Sequence, residues 1–259
     1  MLHQWSLTMP ALTGKEKRRA WVYVPDGAYA DADRRYPVLY MFDGQNLFAD
    51  AEATYGKSWG ILDYLTRHDV PLMVAAIECS HHDEKEPCGG RLSEYAPFSF
   101  SAPDFGGEIQ GRGKLTMDYF TQVFKPYVDG HFPTIPDREH SFVAGSSMGG
   151  LMTLYALTDY NRVFSRGAAL SPSLGFDPEA VRRMIREAKL GDTVLYMDMG
   201  EQELRSRSAR RVYAETTAQL IKKGVMLTSR LVPGGFHSEA SWERQLPFFI
   251  PVLFYGLEE

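Results

Sequence analysis

At 259 residues, 44% hydrophobic and 24% charged, the chain has the size and balance of one large globular α/β domain, which excludes a disordered or collagen-like polymer. Its net charge of −5, with no basic block, excludes the electrostatic footprint of a nucleic-acid binder and a polybasic membrane patch. Residues 1–10 hold no signal-type apolar core, no later stretch reaches roughly 18 uninterrupted apolar residues, and the two cysteines, Cys79 and Cys88, read as reduced thiols. The expectation is therefore a cytoplasmic protein.

In chain order, residues 18–24 (RRAWVYV) read as a strand, with residues 1–9 as its antiparallel partner. Pro25, Asp26 and Gly27 break the chain, and the apolar run 37–42 (PVLYMF) is a buried strand ended by Asp43-Gly44. Residues 58–67 carry Trp59, Ile61, Leu62 and Leu65 near helical spacing, and 72–77 (LMVAAI) is another buried strand. From 78 to 114 the chain is rich in Gly, Pro, Ser and charge, and a loop of that length in a compact fold usually carries function.

The remainder alternates regularly. Helices are expected at 116–128, 149–157, 178–188, 207–222 and 238–246, and strands at 141–144, 167–170, 193–197 and 225–231. Strand–helix alternation after an antiparallel N-terminal edge predicts a single α/β domain over 1–259, with a mostly parallel sheet covered on both faces.

The most specific motif is Gly145-Ser146-Ser147-Met148-Gly149-Gly150, a G-x-S-x-G between an expected strand and an expected helix. In an α/β-hydrolase fold this spacing forms a nucleophile elbow. The serine sits on a tight turn that projects its hydroxyl, and small neighbours let strand and helix approach. Ser147 is the candidate nucleophile, and the N–H of Met148, at the helix N-terminus, is a candidate oxyanion donor. The second donor should follow the strand 37–42, at the N–H of Gly44 or Gln45.

The expected chain order is serine, acid, histidine. His237, in Pro233-Gly234-Gly235-Phe236-His237 after the last strand, is the candidate general base. The acid lies among Asp198, Glu201 and Glu203, with Glu203 favoured because its loop must reach across to the imidazole. Arg91, with Glu94-Tyr95, Arg112, Lys57 and Trp59, could line a pocket for an anionic or aromatic group; alternatively Arg91 and Glu94 staple the loop and Trp59 is core. Residues His81-His82-Asp83 suggest no metal site, because adjacent side chains point apart. No cofactor is expected.

Taken together, LYMFDGQNLF (39–48), GGRLSEYAPF (89–98), GSSMGGLMTLYAL (145–157), AALSPSLGF (168–176), MGEQE (199–203) and GGFHSEASW (234–242) resemble the putative-esterase family of α/β hydrolases. That family includes siderophore trilactone esterases, feruloyl and acetylxylan esterases, S-formylglutathione hydrolases and mycolyltransferases. The resemblance implies a serine carboxylic-ester hydrolase with Ser147 and His237 in catalysis, and it points to Glu203 as the acid. Acyl transfer from the same site, or a non-catalytic ligand-binding role, are the alternatives. The short segment between Leu170 and Pro178 leaves no room for a large cap, so an open site walled by residues 43–60 and 78–114 is expected.

Overall fold

The structure is a computed structural model, and it describes residues 1–105 and 107–257. Among the described residues ten strands form in chain order: β1 (Leu2–Thr8), β2 (Lys17–Tyr23), β3 (Val38–Met41), β4 (Met73–Ile77), β5 (Phe100–Ala102), β6 (Gly107–Ile109), β7 (Ser141–Ser146), β8 (Arg166–Leu170), β9 (Val194–Gly200) and β10 (Met226–Val232). Eight of them make one sheet in the order β1-β2-β4-β3-β7-β8-β9-β10. The pairs β1/β2 and β2/β4 are antiparallel, and every later pair is parallel. This is the α/β-hydrolase arrangement anticipated from the alternation, antiparallel edge included.

Burial explains the order. Every residue of β3, β4, β7, β8 and β9 is buried, as near-continuous apolar runs must be when both sheet faces are covered. Strands β1 and β10 alternate with exposed positions and therefore take the two edges. The two-residue period splits the core in two. Tyr40, Phe42, Val143, Ala169 and Met197 pack on one face, and Leu39, Met41, Phe142, Ala144, Ala168 and Tyr196 on the other. The helix Met148–Asp159 is buried from Met148 through Thr158, so it lies in the interior layer directly behind the elbow.

Three segments differ from expectation. The helix expected over 116–128 starts at Gly113 and runs to His131 through a π turn at Phe120–Phe124. Pro126 follows that turn and has no N–H to complete the regular ladder, which favours a local widening. The 78–114 segment is less irregular than its composition suggests, since it contains the short helix Arg91–Glu94 and the β5/β6 hairpin. Finally, Leu246–Leu253 (LPFFIPVL) is a second C-terminal helix beyond Glu239–Glu243; its unbroken apolar run hides any helical period. Among the described residues no helix is long and apolar enough to cross a membrane.

Candidate active site

Strand β7 ends in a turn whose strain is local to one residue. Ser147 has φ 59° and ψ −121°, a conformation costly for a residue with a side chain, and it opens the helix Met148–Asp159. The glycines around it are steric requirements. A Cβ on Gly145 would stand 2.8 Å from the carbonyl of Gly149, and one on Gly150 would stand 3.0 Å from the Leu170 carbonyl oxygen. The Ser147 N–H donates to Leu170 O at 3.0 Å, and its carbonyl accepts from Ser173 N–H at 3.0 Å. The elbow is thereby tied to the end of β8 and the turn after it. The Ser147 hydroxyl faces that of Ser173 at 3.4 Å.

His237 lies between β10 and the helix Glu239–Glu243, with its ring edge-on to Trp242 at 5.1 Å between centroids. Its Nδ1 is 2.6 Å from Glu203 Oε1. The other carboxylate oxygen of Glu203 accepts from Ser171 Oγ–H at 2.7 Å and from the Gly200 N–H at 2.9 Å. Ser171 in turn accepts from the Trp242 indole N–H at 3.1 Å. Burial works to raise the Glu203 pKa, but the hydrogen bonds from His237, Ser171 and Gly200 outweigh it and hold the carboxyl below its ordinary range. An ionised carboxylate can only accept, so Nδ1 is the donor of this bond, which leaves Nε2 as the lone-pair nitrogen of the neutral imidazole.

The two other acids are placed elsewhere. Asp198 remains on β9, buried, accepting from Tyr196 Oη–H at 2.9 Å, and burial pushes its pKa up to about 7. Glu201 is exposed and accepts the Gly234 N–H at 2.8 Å, which steadies the loop that carries His237.

After β3 the chain turns through Asp43, a non-glycine residue at φ 59°, into the single turn Gly44–Asn46. Three clamps hold this strained turn. Arg91 forks onto the Asp43 carboxylate at 2.6 and 2.7 Å, and Asp43 N–H donates to Tyr95 Oη at 3.0 Å. The Gln45 amide donates to Cys79 Sγ at 3.1 Å and accepts the Cys79 N–H at 3.3 Å. Gly44 is packed under Trp21, where a Cβ would stand 2.8 Å from the ring, whereas Gln45 borders the cleft with Ser147. Met148, the first residue of its helix, has an N–H with no acceptor inside that helix.

Ser147 and His237 open onto one cleft of about 360 Å³. Its walls come from Gln45 to Tyr55, from Cys79 to His81, from Arg91, and from His237 to Trp242. Among the sequence-predicted pocket residues, only Arg91 borders it. Lys57 is drawn away by Glu243 at 2.9 Å and Asp50 at 3.7 Å. Trp59 is buried core, tilted against Trp242 and edge-on to Phe249. Arg112 is spent on the carbonyls of Cys88, Ala11 and Leu12. Glu94 does not staple Arg91 but meets Arg18 at 2.7 Å, both buried, and the Tyr95 ring is buried beneath Arg91.

Two cleft residues were not singled out in the sequence. Tyr55 stands 79% exposed at the mouth, and Glu239 is a buried carboxyl whose pKa burial raises. Glu239 stands within GGFHSEASW, two residues past His237, and that proximity was the available signal. The two loop histidines diverge, His81 to Glu78 and His82 to Glu16 and Glu86. Hydrogen bonds donated to Glu16 and Glu86 raise the His82 pKa, and the ligand atoms of His82, Glu86 and Cys88 lie within 4.8 Å of one another.

Comparison with known proteins fits this geometry. The chain is 23% identical over 209 residues to the uncharacterized protein YbbA of Bacillus subtilis (strain 168), covering 78% of this chain and 76% of that one. Its fold is similar to the siderophore hydrolase EstA from Aspergillus nidulans, at TM-score 0.72 and 20% identity over 95% of this chain and 93% of that one. It is also similar to an S-formylglutathione hydrolase from Agrobacterium tumefaciens, at TM-score 0.70 and 17% identity over 100% of this chain and 96% of that one. The family model described as "Putative esterase" matches residues 12–250, so the chain belongs to that family and is an esterase.

Proposed function

We propose that the chain hydrolyses carboxylic esters through an acyl-enzyme on Ser147. The observation that carries this is the hydrogen-bonded line Trp242–Ser171–Glu203–His237, which ends at the cleft onto which the strained Ser147 opens. His237 Nε2 takes the Ser147 proton as Oγ bonds to the ester carbonyl carbon. The N–H groups of Met148 and Gln45 receive the developing oxyanion. His237 then passes the proton to the alcohol oxygen as its bond to carbon breaks. Water, deprotonated by the same histidine, attacks the acyl-enzyme and releases the acid.

Membership of the esterase family supports water over a second alcohol as the acyl acceptor, and so hydrolysis over acyl transfer. The test is a panel of p-nitrophenyl esters with the wild type and Ser147→Ala, with product analysis in rising glycerol. Free acid at every glycerol concentration, and no turnover in the variant, is the expected result. Glyceryl esters as the main product would favour transfer, and full activity in Ser147→Ala would reject the serine mechanism.

A further inference from the structure

His237 borders a second pocket, of about 370 Å³, on the side away from Gln45 and Arg91. Ser173 forms its rim, and the Ser173 hydroxyl lies 3.4 Å from Ser147 Oγ, so the pocket adjoins the nucleophile as well as the base. Its walls are Leu174, Met199, Leu204, Ala209, Val212 and Tyr213. The polar groups that face it are occupied elsewhere. Tyr213 Oη–H is within 3.1 Å of the carbonyls of Met197 and Arg230, and Glu203 is bonded by His237, Ser171 and Gly200. What remains for a ligand is mostly apolar surface, with the hydroxyls of Ser173 and Ser208 among its lining. The first cleft is more mixed, with Gln45, Asn46, His81, Arg91 and Glu239 beside Tyr55, Cys79 and Trp242.

We infer that this second pocket is the leaving-group subsite, and that the alcohol half of the natural ester is apolar. The inference rests on the serine-esterase reading. Ser147 and the Gln45 donor border the first cleft, so the acyl group lies there once Oγ has attacked. The leaving oxygen must accept a proton from His237, so the alcohol carbon chain starts at the imidazole. From there the pocket rimmed by Ser173 is the adjoining apolar space. At about 370 Å³ it sits at the small end of ligand pockets, fit for an alkyl or single-ring group.

Two ester series test this. One holds acetyl constant and lengthens the alcohol from ethyl to hexyl; the other holds p-nitrophenol constant and lengthens the acyl group from acetyl to hexanoyl. In the wild type, kcat/KM should rise about three- to fourfold per added alcohol methylene, the value of burying each CH2. Ala209→Phe, at a partly exposed helix position, should flatten the alcohol series and lower the whole p-nitrophenyl series by one constant factor, with its dependence on acyl length kept. A flat alcohol series in the wild type, or an Ala209→Phe variant that changes the acyl-length dependence and not the alcohol-length dependence, would overturn the assignment. Binding of 1-hexanol to Ser147→Ala, read from the methyl NMR signals of Leu174 and Val212, needs no turnover. Shifts there with no hydrolysis of any ester would fault the catalytic reading and not the pocket; no shift at hexanol saturation would fault the pocket.

Discussion

His237 Nδ1 and Glu203 Oε1 lie 2.6 Å apart across 34 residues of chain, while the other Glu203 oxygen is held by Ser171 and Gly200. The contact singles out one acid among three in a six-residue stretch. Glu203→Gln cannot accept the Nδ1 proton in the same way and should lower kcat by about 10²–10⁴-fold, with KM little changed. Glu201→Gln, which alters only the exposed bond to Gly234, should stay within about threefold. Steady-state kinetics on p-nitrophenyl acetate checks both, and equal losses in the two variants would refute the assignment.

Arg91 holds the turn proposed to supply the second oxyanion donor, pairing with Asp43, whose side chain is 5% exposed. Arg91→Met leaves that carboxylate unpaired beneath a strained backbone. The cost should be about 2–3 kcal/mol, below the usual loss for a fully buried pair because Arg91 is itself 29% exposed. Urea denaturation measures it. Activity should fall more through kcat than KM, since the displaced group is the Gln45 N–H; unchanged kcat would show that the turn holds itself.

Asp198 predicts a pH effect on stability. Its folded pKa is pushed up to about 7 from 3.8, so between those values the folded state keeps a proton that the unfolded chain has lost. Native stability from this group is therefore fully present below pH 3.8 and declines as pH rises through 7, by on the order of 4 kcal/mol in all. Asp198→Asn lacks that slope. Urea midpoints at pH 4 and pH 8 should show the variant gaining on the wild type at the higher pH; parallel behaviour would contradict a protonated Asp198.

The elbow predicts a steric effect. Gly145→Ala would push a methyl to within 2.8 Å of the Gly149 backbone and shift the helix that presents Met148 N–H. An activity loss of about 10²-fold or more, with far-UV circular dichroism retained, is expected. Wild-type kinetics in this variant would mean that the strand-to-helix packing does not govern the site.

Local chemistry was legible in the sequence, as was the Glu203–His237 pair through its motifs, but the other distant pairings were not. The Ser147 turn could be read because a strained φ and a close strand–helix approach each demand small residues at fixed offsets. The parallel strands could be read because burial on both faces demands continuous apolar runs. The pocket side chains could not. Arg91 finds Asp43 at 48 residues' distance, and Arg112 finds Ala11 at 101, so their destinations depend on the fold and leave no local mark. Lys57, Arg91 and Arg112 look alike as isolated cations; only the chain path sends one to the cleft and two to staples. The apolar second pocket was equally hidden, because Leu174, Met199 and Val212 read as ordinary core residues.

The central claim is that Ser147 becomes covalently acylated with His237 as its base. Intact-mass spectrometry and peptide mapping after treatment with a fluorophosphonate test it most directly. One adduct per chain on Ser147, absent in Ser147→Ala and slowed by about 10²-fold or more in His237→Ala, is the predicted result. An adduct that persists in folded Ser147→Ala, or labelling of wild type that does not reach Ser147, would contradict it.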